Sequence, residues 1–142
     1  MDNKERTRKI MDALARAGDR RPLLDAMAVD VTWRWMGVDR WSRTFEGKGS
    51  VLNELFGGVD ATLADASRGH IHRILADGDQ VVVEHVGRSR TPDGHPYNNN
   101  YCWVLTFTGD LITEVREYMD TQLVNDTFGA DPSDSPHDAP GR

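Results

Sequence analysis

The sequence predicts an α+β fold in which a cone-shaped, curved antiparallel sheet wraps around N-terminal helices. Apolar residues recur at helical spacing in the first part of the chain, whereas the second half carries runs with the period of strands. The clearest signal is the Gly109-Asp110 pair, which lies between two runs rich in aromatic and β-branched residues. Such a pair indicates a tight hairpin, and the rest of the chain is arranged around it.

The first elements are predicted to be two helices and a strand. Residues 1–17 are amphipathic and precede a glycine, Gly18, that would stop a helix. Pro22 suits the first turn of a second, short helix. Residues 29–36 alternate as a strand does, with Trp33 and Trp35 on one face.

The middle of the chain is predicted to hold a loop, a helix and a first hairpin. Residues 37–46, including Trp41, have no regular pattern, and residues 47–56 form a third helix that the Gly57-Gly58 pair would end. Strands follow at 70–76 and 80–89, joined by a turn at Asp77-Gly78.

The organising hairpin comprises strands before and after Gly109-Asp110, and a short helix is predicted at 122–128. Residues 1–129 would therefore form a single domain, which suits the chain length. Residues 130–142 contain Asp, Pro, Ser and Gly without apolar content and are predicted to be a disordered acidic tail.

Charge and composition restrict the partners of this protein. The net charge of -6 and pI near 5.3 disfavour nucleic-acid and anionic-membrane partners, which select basic patches. A single cysteine excludes an internal disulfide, and no apolar run resembles a signal peptide or a membrane span. A cytoplasmic protein that binds a small molecule is expected.

Counting outward from two-residue turns places a set of polar side chains on one face of the sheet. A carboxylate, Glu117, lies in this set among valines. Polar groups that converge within an apolar surface suggest a small-molecule site. The predicted face carries His70, His72, His85, Asn98, Asn100, Cys102, Glu117 and Met119.

Glu117 and His85 are the candidate catalytic pair. An apolar pocket raises the pKa of a carboxyl group, and a nearby histidine could exchange protons with it. The alternative for Glu117 is a buried carboxylate satisfied by a structural partner, and for His85 a strand histidine bonded to a backbone carbonyl. Asn98 and Asn100 would orient a substrate carbonyl or hydroxyl, or would simply be strand-entry residues.

The remaining candidates have competing interpretations. The His70-x-His72 spacing with His85 and Glu117 invites a metal hypothesis, but exposed strand histidines are the preferred interpretation, so no metal and no cofactor are expected. Cys102 is expected to be a small buried thiol rather than a nucleophile. Three tryptophans would either line the cavity or belong to the core: Trp33, Trp35 and Trp41.

The other face of the sheet is predicted to be an interface. The same register places Trp103 opposite Arg116 as a cation–π pair, beside Tyr101, Leu105, Phe107 and Tyr118. An exposed apolar patch of that size favours a partner. A homodimer through the outer sheet face is therefore expected, with the terminal tail as the alternative cover.

The hairpin and the order of elements resemble the SnoaL-like branch of the nuclear transport factor two-like superfamily. The likeness rests on Asn-Tyr-Cys-Trp-Val-Leu-Thr-Phe at 100–107 and Ile-Thr-Glu-Val-Arg-Glu-Tyr-Met-Asp-Thr at 112–121, and it covers residues 3–128. The superfamily includes ketosteroid isomerase, scytalone dehydratase, limonene epoxide hydrolase and polyketide cyclases. The resemblance implies a cone-shaped cavity, proton-transfer chemistry without a cofactor, and dimers.

The resemblance also assigns positions. Epoxide hydrolase members have an arginine-carboxylate-tyrosine motif whose carboxylate corresponds to Glu117, and they use an arginine and an aspartate where this chain has His85 and Gly87. Because the aspartate is missing, a hydrolytic water would lose one acceptor. The expected function is thus that of an isomerase, dehydratase or cyclase acting on a mostly apolar small molecule, with a polyketide-like intermediate as the candidate substrate. A non-catalytic dimeric binding module and an epoxide hydrolase-like activity are the alternatives.

Overall fold

The computed structural model describes residues 1–64 and 68–129 and confirms the α+β fold, a curled sheet with helices on its concave side. Helix α1 (Asn3–Ala17) begins where the Asp2 side chain accepts the Glu5 N–H, 2.8 Å away, and ends at Gly18 in the left-handed conformation. It packs on the third strand and on α2 (Arg21–Ala26).

A longer helical region than predicted follows the first strand. It consists of α3 (Lys48–Ser50), a π-helical segment (Val51–Phe56) and α4 (Gly57–Thr62). The predicted stop at Gly57-Gly58 is wrong, because Gly57 has helical backbone angles and the helix continues through both glycines. The last helix, α5 (Thr121–Phe128), begins at Asp120, whose carboxylate accepts two backbone N–H groups.

Seven strands form the sheet, in the order β2-β1-β7-β6-β4-β3 with β5 paired to β4. Strands β1 and β7 are parallel and the other pairs are antiparallel. The predicted loop at 37–46 contains a short strand, β2, that the pattern did not reveal. The strands are β1 (Met27–Trp35), β2 (Thr44–Glu46), β3 (Arg68–Asp77), β4 (Gln80–Arg90), β5 (Pro96–Tyr97), β6 (Asn100–Thr108) and β7 (Leu111–Met119).

Relative to both of its neighbours, β4 and β7, strand β6 presents the opposite face from the one predicted. The Gly109-Asp110 turn is correct, since Thr108 pairs with Leu111 and Phe107 with Ile112. A bulge then shifts the register, so that Glu117 lies across from Trp103 and not from Cys102. Because side chains alternate along a strand, a shift of one residue exchanges the two faces. The inward residues of β6 are therefore Tyr101, Trp103 and Leu105.

The hairpin of β3 and β4 also departs from the prediction. Its turn is Gly78-Asp79, one residue later than expected. A second bulge, between Ile71 and Arg73, places Ile71 across from His85, where His70 had been expected. Both bulges lie on strands that flank the concave face, and they change which side chains this face presents.

The core lies between the helices and the concave face of the sheet. Its fully buried side chains include Met11 of α1, Trp33 of β1 and Phe107 of β6. None of the helices in the described residues is long and apolar enough to cross a membrane. The predicted acidic tail, 130–142, lies outside the described residues.

Candidate functional site

Glu117 lies at the centre of the concave face, with its carboxylate inside the protein. Strand β7 lies between β1 and β6, so Glu117 has Trp35 as its neighbour on one side and Trp103 on the other. The residue is only 5% exposed. A carboxylate at such a position requires hydrogen-bond donors, because burying an unpaired charged group is costly.

Two tryptophan indoles supply these donors. Trp33 Nε1 donates to Glu117 Oε1 at 2.9 Å, and Trp103 Nε1 donates to Oε2 at 2.8 Å. The two indole rings pack edge to face with their centroids 5.0 Å apart, so each ring holds the other in place. We call this arrangement of Trp33, Trp103 and Glu117 the indole clamp.

The surroundings of Glu117 bring its pKa close to neutral. Burial raises the pKa of this carboxyl group from 4.5 to about 7, and the hydrogen bonds from the indoles of Trp33 and Trp103 oppose that rise. The Trp35 indole also favours the ionised form, although its Nε1 atom has no partner of hydrogen-bond geometry among the described residues. Glu117 can therefore both accept and release a proton near pH 7.

His85 lies on the same face, next to the clamp. It is 8% exposed, stacks on Tyr101 with the ring centroids 5.1 Å apart, and meets the Trp103 ring edge to face at 4.6 Å. Its Nε2 atom is buried and has no hydrogen-bond partner in the described part of the chain. Burial lowers the pKa of His85 to about 4, with a smaller contribution from His72. The imidazole is therefore neutral at physiological pH.

A cavity of about 120 Å³ opens in front of Glu117 and His85. Its walls come from α1, the π-helical segment, the strands of the concave face and α5, and they are mostly apolar. Among the described residues that line the cavity, Glu117 is the one acidic residue. A cavity of 150 Å³ lined by aliphatic and aromatic groups is known to hold benzene. The cavity here is slightly smaller, so it suits a ligand whose buried part is no larger than about a single ring.

The structure brings together about half of the predicted site residues. Besides the candidate pair, the cavity wall includes Trp33, Trp35, His70 and Met119. Five predicted residues do not contribute to this wall, namely Trp41, His72, Asn98, Asn100 and Cys102.

The expected placement of Asn98 and Asn100 in the site is wrong. Both are exposed. Val86 lies across from Asn100, so Asn100 lies on the face of the sheet opposite to His85, whereas the sequence predicts the same face for both. The residue between them, Asn99, is fully buried. Its side chain bonds to the backbone N–H and C=O of Asp120 and to the Tyr97 hydroxyl, at 3.0 to 3.2 Å. Asn99 thus fixes the start of α5.

The two other candidate histidines lie outside the buried part of the site. His70 and His72 are exposed and their rings contact each other at 5.2 Å. Within residues 1–64 and 68–129, no three histidine, cysteine or carboxylate side chains are grouped so that they could hold a metal ion.

Cys102 and Trp41 also lie away from the cavity wall. Cys102 is half-buried across from Glu84, and burial together with the Glu84 charge raises the pKa of its thiol. Trp41 packs on Phe128 of α5, with the ring centroids 6.0 Å apart. It supports a lining residue without facing the cavity itself.

Several residues of the site were missed by sequence reasoning. Trp103 and Tyr101 had been placed on the outer face, so the predicted Trp103–Arg116 pair is wrong: Arg116 lies across from Val104. Tyr97, Arg20 and Phe128 were not singled out, although they line the cavity. The Trp-x-Trp pattern of β1 and the tryptophan of β6 were visible signals, since indoles are the donors that a buried carboxylate needs.

Comparison with known proteins gives a family and a fold. The sequence profile of the SnoaL-like domain matches residues 7–115. A nuclear transport factor two-like protein of unknown function from Burkholderia pseudomallei has a TM-score of 0.76 at 21% identity, with 92% of this chain and 100% of that chain covered. Among curated proteins, none matches the chain.

Two further solved structures carry functional names. A candidate isomerase from Bacillus subtilis has a TM-score of 0.69 at 20% identity, covering 91% of this chain and 94% of its own. A candidate SnoaL-like polyketide cyclase from Jannaschia sp. CCS1 has a TM-score of 0.68 at 15% identity, covering 93% and 97%. At these identities the likeness establishes the fold alone.

Proposed function

Because the chain belongs to the SnoaL-like domain family, we propose that it is a cofactor-independent acid–base enzyme for a small, mostly apolar molecule. The reaction would be of the isomerase, dehydratase or cyclase type, which is also the type named for two of the structural neighbours. Glu117 would move the proton, and the neutral imidazole of His85 would orient the substrate.

The proposal rests on the pKa and the position of the Glu117 carboxyl group. Its carboxyl group combines a pKa of about 7 with a place in the wall of an apolar cavity. A general base works best when its pKa is near the operating pH, and such catalysis contributes roughly 10²- to 10⁴-fold.

The indole clamp suits proton transfer chemically. Each carboxylate oxygen accepts one N–H group and has a further lone pair, so the group can take a proton without losing either indole bond. The two N–H groups stabilise the carboxylate form and fix its orientation before the substrate arrives. His85 Nε2, which is buried without a partner in the described residues, is available to a substrate hydroxyl or carbonyl.

The size of the cavity refines the expected substrate. A polyketide-like intermediate with several fused rings exceeds about 120 Å³, so lining side chains would have to move to admit it. A single-ring ketone or a short unsaturated carbonyl compound fits without such movement. Gly87, which lies in the cavity wall, presents no side chain that could hold a hydrolytic water, and this disfavours the epoxide hydrolase alternative.

The test is proton exchange at carbon. Small cyclic enones and 1,3-diketones are incubated with the protein in deuterated water, and deuterium incorporation next to the carbonyl is followed by NMR. We expect exchange that depends on the ionised form of a group with a pKa near 7, and a loss of about 100-fold or more in Glu117→Gln. If deuterium exchange continued undiminished in Glu117→Gln, the proposal would be refuted.

A non-catalytic binding module is the second candidate. Both Glu117 oxygens already have protein donors, and His85 donates no hydrogen bond to them within the described residues, which is what a structural carboxylate in a ligand-binding cavity would show. This candidate predicts binding that persists in Glu117→Gln and no exchange in the wild-type protein. Homodimerisation and a cytoplasmic location remain predictions from the sequence.

A further inference from the structure

The mouth of the cavity differs in charge from its interior. Of the described residues that line the cavity, only Arg68 and His70 are exposed to solvent. Both lie at the start of β3, the last strand of the sheet, so the solvent-accessible part of the cavity wall is at this end of β3. Arg68 is a permanent cation, because an arginine guanidinium stays protonated in proteins.

Two of the described residues that line the cavity are arginines, and they differ in whether a carboxylate pairs with their charge. Arg20 lies 4.5 Å above the Phe56 ring and donates to Asp60 Oδ2 at 2.9 Å, so its charge is matched by a carboxylate. The side chain of Arg68 makes no ion pair or hydrogen bond with any other described residue. The neighbour across from it in the sheet is a second arginine, Arg88. Like charges at directly paired positions repel each other, which leaves this end of β3 and β4 with unbalanced positive charge.

This local charge runs against that of the chain as a whole, which carries a net charge of -6. Among the described residues that line the cavity, the single carboxylate is Glu117, and it is buried within the indole clamp rather than at the opening. A ligand that enters therefore meets a positive rim first, then aromatic and aliphatic walls, and finally the carboxyl group.

We propose that the natural ligand is an amphipathic oxyanion, a small aromatic or unsaturated carboxylate whose charged end binds Arg68 at the mouth while its apolar body fills the cavity towards Glu117. This rests on the proposed function, because it uses the same cavity, and it narrows the substrate class. Guanidinium groups bind carboxylates through two parallel N–H donors, which fixes the ligand's direction as well as adding affinity.

The test uses a matched pair of ligands, cinnamate and its neutral amide, cinnamamide. They share one ring and one double bond and differ in charge. Each is titrated into nitrogen-15-labelled protein at about pH 6, where cinnamate is ionised but Glu117, with its pKa of about 7, is mostly protonated. The indole N–H signals of Trp33 and Trp103 report binding inside the cavity.

The expected result is that cinnamate binds wild type about threefold to fivefold more tightly than cinnamamide, the range for a partly exposed charge pair. Arg68→Gln removes this preference and leaves the affinity for cinnamamide unchanged. Arg68→Lys retains the charge and therefore keeps most of the preference for cinnamate. Arg88→Gln is the control: it removes the same charge from the paired strand position outside the cavity wall, so it reduces the preference for cinnamate clearly less than Arg68→Gln does.

Three results would overturn the inference: equal affinities in wild type, an equal loss for both ligands in Arg68→Gln, or indole signals that respond to neither ligand. None of these measurements depends on turnover. If the charge preference is absent but Glu117-dependent deuterium exchange occurs, only the oxyanion assignment fails. If the preference is present and exchange is absent, the enzyme proposal fails and the cavity is a binding site for such acids.

Discussion

Glu117 is subject to two opposing influences that the structure makes explicit. Burial favours the protonated carboxyl group, and the indole N–H groups of Trp33 and Trp103 favour the carboxylate. A pKa of about 7 is the balance between them. Changing one donor should therefore shift the proton affinity of the site without filling or emptying the cavity.

Replacing Trp103 by Phe tests that balance. The ring that packs against His85 and Trp33 is largely kept, but the hydrogen bond to Oε2 is lost. A hydrogen bond to a charged group contributes about 1.5 kcal/mol, so the pKa of Glu117 should rise by about one. The measurement is the pH titration of the Trp33 indole N–H signal. Trp41→Phe removes the indole N–H of a tryptophan that does not contact Glu117, and it should leave the midpoint of this titration unchanged. If Trp103→Phe also leaves the midpoint unchanged, the indole clamp is wrong.

Glu117 should also make stability depend on pH in an unusual direction. Its pKa is raised in the folded state, so between about pH 4.5 and 7 the folded protein binds more protons than the unfolded chain. Stability from this group is complete below pH 4.5 and is lost as the pH rises, by about 3 kcal/mol in total. His85 acts oppositely, because its lowered pKa makes folding less favourable as the pH falls from 6.5 to about 4.

The pH dependence of stability that comes from Glu117 and the opposite one that comes from His85 largely cancel in the wild-type protein between about pH 4.5 and 6.5. Glu117→Gln removes one of them, so its free energy of unfolding relative to wild type should increase by about 3 kcal/mol from pH 4.5 to 7.5. Urea denaturation at several pH values measures this difference. A constant difference across the range would mean that Glu117 titrates normally in the folded protein.

Side-chain chemistry made the central pair predictable at the residue scale, but not its partners. A carboxylate among valines on a strand is an anomaly that sequence alone reveals, and Glu117 and His85 do share the concave face. The indole donors could not be assigned, because the face on which Trp103 lies depends on a bulge elsewhere in the strand.

At the element scale, β6 shows how two errors can cancel. The predicted face of β6 relative to β4 was the wrong one, and the predicted register between β6 and β7 was off by one beyond the bulge. The first error reversed the faces of β6, and the second restored the relation between β4 and β7. His85 and Glu117 were therefore placed together correctly, while Asn98, Asn100 and Cys102 were placed with them wrongly. Periodicity within a strand is a local property, but register between strands depends on bulges that have no simple sequence signal.

The pairing of β3 with β4 depends on a glycine. A Cβ atom at Gly69 would lie 1.8 Å from the backbone oxygen of Val86, and no side-chain rotation can relieve that overlap. Gly69→Ala should therefore destabilise the protein by about 2 kcal/mol or more, in the range of overpacked sites. Thermal or urea unfolding is the measurement.

Gly58→Ala is the matched control for this prediction. It makes the same chemical change within α4, at a position where the added Cβ meets nothing within 4 Å. Because alanine favours helix by about 1 kcal/mol over glycine, this variant should be more stable than wild type. If the two variants changed stability equally, close packing at Gly69 would not be the cause.

The whole molecule has one covered and one uncovered face. Helices cover the concave side, whereas the convex side carries a row of paired residues that runs across three strands: Leu75, Val82 and Val104. Tyr118 lies on the same side and is 43% exposed. Most of the residues that the sequence predicts for the outer face lie on the inner face instead, because the faces of β6 are reversed. The outer face nevertheless carries apolar side chains.

We expect a second copy of the chain to cover this convex face. Val104→Glu would place a charge in the middle of the row, which should convert a dimer to a monomer, as measured by sedimentation velocity. Val29→Glu, at an exposed residue of β1 outside this row, serves as the control and should leave the assembly unchanged. A wild-type protein that sediments as a monomer at micromolar concentration would refute the expectation.

The fold class was predictable because it depends on element order and hydrophobic periodicity, and both are local signals. The position of α5 was not, because it is fixed by Asn99, a buried amide between two exposed ones, which holds the backbone of Asp120. Through α5, Phe128 becomes part of the cavity wall. Long-range contacts of this kind complete the site.

The parallel pairing of β1 with β7 has a consequence for how the protein folds. Trp33 reaches its carboxylate partner across 84 positions of the chain, and β1 has no other long neighbour in the sheet than β7. Local hairpins can form early, but closing a loop of this length is slow. The indole clamp should thus be among the last contacts to form, and during synthesis the edge of β1 that pairs with β7 would remain unpaired until nearly the whole domain had been made.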